Sequence, residues 1–377
     1  MKRLPSVSVL AALALAAASL TSGYASAQAR AAGGIDKPAA SSPNLEIYWV
    51  DTEGGAATLI VSPSGESLLI DTGYPDGARD ATRILDAARH AGLKRIDHLV
   101  ISHYHRDHVG GLGVFSRMMP IENFYGPGDK IEDVNMQWYK SYTAASDGKR
   151  RIVKPGDTIP LKGAQVLVVT SDEKVLAKPV NGGGPNPLCN DAARMSPAGF
   201  ENSRMVGVLL TYNKFTFLNL IDLDWYKEME LACPVNKLGK VTIYQAGRHG
   251  SLDGAGAPAL LGAIAPQVVV VQNGPSKGLG QTDKRIQPIA VAGKPSAPYE
   301  KNAYLRLAGL PGIEGVWQGH LSLLDKDPRH NTSPDMIANL DDTADCKGHW
   351  IKASVARDGG FTITNGRNGY SKTYAAR

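Results

Sequence analysis

The chain has 377 residues, with 41 Lys plus Arg against 36 Asp plus Glu and a formal charge of +5. That surplus is too small to argue for a nucleic-acid partner on its own, so nucleic acid stays an open but unsupported substrate. The length allows a large core, as one elaborated domain or a domain with an appendage.

The N-terminus reads as a leader. Lys2 and Arg3 precede an apolar run from Val9 to Leu20, and Ala25-Ser26-Ala27 is a small-x-small cleavage site. Residues 1–27 are predicted to be a signal peptide and residues 28–43 a flexible leader. Export to the periplasm or the extracellular space follows. No later apolar run reaches spanning length, so no membrane span is expected. The three cysteines, Cys189, Cys233 and Cys346, allow one disulfide and one free thiol, without indicating which pair.

Strands and a hairpin open the folded part. Leu45 to Val50 favours β structure, and Ala57 to Val61 and Ser67 to Ile70 flank the turn Ser62-Pro-Ser-Gly65. The second arm runs into Asp71-Thr72-Gly73. Ala81, Ile84, Leu85 and Ala88 recur at helical spacing across residues 78–91, and Gly92 is placed to end that helix. Leu99 to Ile101 is a short buried strand.

The run after it carries the chemistry. Ser102-His103-Tyr-His105-Arg-Asp107-His108-Val-Gly-Gly111 puts three imidazoles and a carboxylate within six residues. Such a set can offer two groups to one cation and two to its neighbour, and suits zinc or another divalent transition metal.

Further on, residues 131–146 are predicted helical, Ala164 to Thr170 a strand and residues 172–200 a long loop. Met205 to Tyr212 and Phe215 to Ile221 form a second hairpin that leads to Asp222. Residues 225–232 and Ala257 to Ile264 read as helices, Val241 to Gln245 and Gln267 to Gln272 as strands, and Trp350 to Tyr370 as a terminal hairpin. Asp71, Asp222 and His249 all follow strand segments, where rigid elements can hold a site. Mixed strands and helices fit a layered α/β (α+β) architecture.

The order strand-Asp-Thr-Gly, His-x-His-x-Asp-His, strand-Asp, strand-His-Gly-Ser resembles the metallo-β-lactamase superfamily of metal-dependent hydrolases, over roughly residues 45 to 275. Within it, the chain is most similar to hydrolase domains of competence (DNA-uptake) channel proteins and their secreted relatives. The resemblance implies a four-layer α-β-β-α sandwich spanning 44–280, with residues 281–377 completing or flanking it. It implies that His103 and His105 serve a first metal, and that Asp107, His108 and His249 serve a second. Asp222 would bridge both and Asp71 would orient the histidine loop. Zinc is the expected ion, one or two per chain, with manganese or iron as alternatives.

The chain departs from that pattern in three places. Ile221-Asp222 stands where Gly-Asp is usual, with Asp224 as a competing ligand. Arg248-His249 stands where two histidines are usual. No histidine lies between His108 and His249, which leaves Glu201, Asn202 or water to complete the first metal site.

Hydrolysis by metal-activated water, with Asp107 or Asp222 handling a proton, is the expected reaction. Arg248, Lys277 and Asn202 are the candidate substrate-binding residues. Arg248 favours a phosphoester or phosphodiester. Lactones, β-lactams and other cyclic acyl compounds are the alternative substrates, and a non-catalytic metal-binding or partner-binding module is the alternative role. No protein partner is predicted.

Overall fold

The computed structural model describes residues 43–377 except 191, 198, 252–253, 283 and 291–297. The signal-peptide reading lies outside the described residues. Among those described, no helix is long and apolar enough to cross a membrane.

Two nine-stranded sheets form the centre. The first runs, edge to edge, Ser371–Tyr374, Phe361–Asn365, Ile351–Val355, Leu45–Trp49, Thr58–Val61, Ser67–Ile70, Ile96–Val100, Ile121–Gly126 and Arg150–Ile152. The second runs Ile337–Asn339, Gly315–His320, Val268–Val271, Ile243–Gln245, Phe215–Asn219, Gly207–Tyr212, Gln165–Ser171 and Thr158–Ile159, with Lys174–Val175 paired to Gln165–Ser171. The stretch after residue 280 therefore supplies strands to both sheets. The terminal hairpin gains a third strand and pairs in register with Leu45–Trp49, Leu45 opposite Val355 and Trp49 opposite Ile351.

Side-chain alternation separates the layers, because successive strand residues point to opposite faces. Leu45, Ile47 and Trp49 enter one core with Val168, Leu209, Phe217 and Ile243 of the second sheet. Tyr48 and Val50 enter another with Ile84, Leu85 and Ala88 of the helix Arg79–His90, Phe115 and Tyr142. Trp225, Met229, Leu260 and Leu261 bring the helices Trp225–Ala232 and Pro258–Ile264 against the second sheet. The result is the mixed α/β sandwich of the expected class. Polar contacts cross it as well: Trp49 Nε1 and Thr58 Oγ1 both donate to Gln245 Oε1 at 3.0 Å.

Among its described residues, the 172–199 stretch is irregular apart from short pieces, the strands Lys174–Val175 and Arg194–Met195 and a turn of 3-10 helix at Pro187–Cys189. It is tied down by a disulfide between Cys189 and Cys233, which leaves Cys346 as the free cysteine.

Candidate metal centre

The site begins where two parallel strands end side by side. Ser67–Ile70 pairs with Ile96–Val100, so Asp71 emerges next to the segment leading to Ser102 and His103. The fully buried Asp71 carboxylate accepts from Ser102 N at 2.8 Å, Ser102 Oγ at 2.7 Å and His108 Nδ1 at 2.8 Å. Thr72 N donates to the His108 carbonyl at 2.7 Å. Gly111 permits this close approach: a Cβ there would stand 2.1 Å from the Thr72 carbonyl oxygen.

These bonds orient the imidazoles. Ser102 Oγ gives its proton to Asp71, so it accepts from His103 Nδ1 at 2.9 Å. His103 Nε2 is left facing His105 Nδ1 at 2.9 Å. His249 Nδ1 donates to the Gln272 carbonyl at 3.1 Å, and its Nε2 points the other way. The Nε2 atoms of His108 and His249 lie 3.5 and 3.3 Å from the Asp222 carboxylate, and 3.3 and 3.4 Å from Asp107 Oδ2.

Two clusters result. Potential ligand atoms of His103, His105 and Asp222 lie within 4.8 Å of one another, as do those of Asp107, His108, Asp222 and His249. Asp222 belongs to both. The residue set fits divalent metal: His108 Nε2, His249 Nε2 and Asp222 Oδ1 are buried with no hydrogen-bond partner. Orphaned buried polar atoms of this kind are rare unless something else satisfies them.

The electrostatics agree with a site built for cations. Burial alone would raise the Asp222 carboxyl, but His249 and His108 hold it well below the usual carboxylate range. Asp107 is held low in the same way, by Lys277 and His108. Burial, reinforced by its two histidine neighbours, pushes His103 well down, which favours the neutral, metal-binding form.

Backbone strain converges here. Asp71, Ile221, Arg248 and His249 all have left-handed backbones, with φ of 62°, 44°, 46° and 55°. For the β-branched Ile221 this is the costliest conformation of the four. Arg248 N donates to the Ile221 carbonyl at 2.7 Å, locking the Asp222 turn to the His249 turn. Ile221, standing where glycine is usual, therefore carries a left-handed backbone that glycine would adopt without strain. Asp224, the competing ligand, instead caps the helix Trp225–Ala232, accepting from Lys227 N at 2.9 Å and Ser203 Oγ at 3.0 Å.

A cavity of about 170 Å³ opens on the centre, lined by Asp222, Arg248, His249, Lys277 and Arg285 among others. Lys277 bonds to Asp107 and, at 3.0 Å, to the Tyr74 hydroxyl. Tyr74, Ser102 and Arg285 were not singled out by the sequence. Ser102 stood beside the histidine run, whereas Tyr74 and Arg285 gave no local signal. Glu201 is turned away to accept from Glu132 N at 3.0 Å and is not in either cluster. Asn202 is buried in the helix Phe200–Arg204, its Oδ1 without a partner, and it does not line the cavity. His320 Nε2 bonds to Asp51 Oδ1 at 2.7 Å, and His98 meets the Tyr125 hydroxyl at 3.3 Å.

Residues 50–189 match the family model of the metallo-beta-lactamase superfamily. The region carrying the histidine run is thus similar to the metallo-beta-lactamase superfamily. Within the matched residues lie Asp71, His103, His105, Asp107 and His108; Asp222 and His249 lie beyond them. Solved structures similar to this chain include the metallo-beta-lactamase fold protein YhfI from Bacillus subtilis, at 12% identity over 72% of this chain and 95% of that one, with a TM-score of 0.41. CmlA, a diiron beta-hydroxylase from Streptomyces venezuelae, is 17% identical over 60% of this chain, with a TM-score of 0.36; the chain spans 44% of its length. A subclass B3 metallo-beta-lactamase isolated from a soil metagenome library is 18% identical over 46% of this chain and 58% of that one, with a TM-score of 0.30. A comparison with curated protein sequences found no match.

Proposed function

We propose that this protein is an exported hydrolase of phosphoesters or phosphodiesters that works through one or two divalent ions, zinc foremost. One observation carries the reading. Two unpartnered imidazole nitrogens and an unpartnered oxygen of Asp222 face one another, and Asp222 is shared with the His103–His105 cluster. Ions bound there would supply Lewis acidity and an activated water.

The chain's own groups do the rest. His103 and His105 would hold one ion, and Asp107, His108 and His249 the other, with Asp222 common to both sets. A carboxylate oxygen of Asp107 or Asp222 would orient the attacking water and could take its proton. Arg248 and Lys277 at the cavity wall, joined by Arg285, receive an anionic group. Guanidinium forks match phosphate oxygens in pairs, which supports the phosphoester. The narrower likeness to competence-type hydrolases rests on Arg248-His249-Gly250-Ser251 and the order of motifs. Export is supported by the leader pattern and by the Cys189–Cys233 disulfide.

The test is elemental analysis of purified mature protein, together with turnover on a panel of phosphodiester, phosphomonoester, lactone and chromogenic cephalosporin substrates. Phosphoester turnover that falls in Arg248→Ala is the expected result. Turnover of the cyclic acyl compounds alone would overturn the substrate class. Bound metal with no turnover on any compound would point to a binding module.

A further inference from the structure

Lys277 places an ammonium against the very oxygen that the second ion needs. Its Nζ bonds to Asp107 Oδ2, and the Nε2 atoms of His108 and His249 lie 3.3 and 3.4 Å from that same oxygen. The side chain is half-buried and braced by the Tyr74 hydroxyl at 3.0 Å, with the ammonium also over the Tyr74 ring, 5.2 Å from its centre. It leaves from a segment packed tightly on the site: a Cβ at Gly278 would stand 2.2 Å from the His249 carbonyl oxygen. The ammonium is thus held in place by its neighbours. Its bonds are to Asp107 and Tyr74, not to His103 or His105.

We infer that Lys277 is an internal competitor for the second metal. The inference rests on the metal-centre reading above. A divalent ion among Asp107, His108, Asp222 and His249 would need Asp107 Oδ2 and would meet a positive charge already bonded to it. Like charges at such separation repel strongly in a partly buried site. The two ion positions are therefore unequal. The first, at His103, His105 and Asp222, has no such ammonium bonded to its ligands. The second fills only as Lys277 leaves Asp107, and the released ammonium then faces the cavity shared with Arg248 and Arg285. Metal loading and capture of an anion are coupled through one side chain.

Calorimetric titration of zinc into metal-free protein tests this, with wild type, Lys277→Met and Tyr74→Phe side by side. Wild type is expected to take one zinc tightly and a second weakly. Lys277→Met should tighten the second by about 10- to 100-fold, the range that groups around a ligand shell command. Tyr74→Phe, which removes only the brace, should shift it the same way by less, and it carries the test if Lys277→Met does not fold. An unchanged second affinity in both variants overturns the inference and leaves the metal centre standing. No zinc uptake by wild type overturns both.

Discussion

Asp71 determines which nitrogen of His108 faces the site. The two are joined by a 2.8 Å bond from Nδ1 to Oδ2, with both side chains fully buried. Because a carboxylate only accepts, Nδ1 must carry a proton, and Nε2 is the nitrogen left to face Asp222 and an ion. The same carboxylate, through Ser102 Oγ, determines the orientation of His103.

Asp71→Asn should therefore weaken metal without removing a ligand. The amide puts a donor where the carboxylate accepted three bonds. Affinity for zinc, measured by competition with a chromophoric chelator, is expected to fall about 10- to 100-fold.

Asp222 and Asp224 should separate cleanly. Asp222→Asn is expected to strip bound metal, read by elemental analysis, because both clusters use that carboxylate. Asp224→Asn should keep its metal and lose no more than about 1 kcal/mol in denaturant unfolding, since asparagine caps a helix nearly as well. Metal loss in the Asp224 variant alone would reverse the assignment.

Ile221→Gly tests strain against burial. Glycine would relieve a left-handed backbone costing about 1–2 kcal/mol. It would also delete a buried side chain, and large-to-small changes in a core cost about 2–5 kcal/mol. Burial should win, so the variant is expected to unfold about 1–3 kcal/mol more easily while holding zinc with wild-type stoichiometry.

Glu228 should make the metal-free protein lose stability as pH rises. Burial pushes its carboxyl up to about 7, against the bonds it accepts from Ala257 N and Gly256 N. A carboxyl raised in the folded state keeps its proton there after the unfolded chain has released it. Stability then declines from near pH 4.5 to near pH 7 and levels off above, by about 3 kcal/mol from this group. Glu228→Gln should flatten that window in urea melts taken at a series of pH values.

Much of the centre was legible because it is local. His103, His105, Asp107 and His108 lie within six residues, and Asp71, Asp222 and His249 each follow an apolar strand, so spacing and strand ends nominated them and the family resemblance implied their roles. The helix at Arg79–His90 was equally plain, because its buried residues repeat at the turn of a helix. The strand Ile121–Gly126 and the short helices Arg106–Val109 and Leu112–Met118 were missed, being short segments with ambiguous periodicity.

Pairings between remote segments were beyond such reading. The sequence by itself determined which residue types stand at strand ends and in what order, since alternation and turn residues encode local geometry. Only the tertiary structure decided that the last strands join the first sheet beside Leu45–Trp49, that Cys189 takes Cys233, that Asp224 caps a helix, and that Lys277 reaches Asp107 across 170 residues of chain. Those choices depend on which faces are buried together, and burial is a property of the assembled sheets rather than of any one segment.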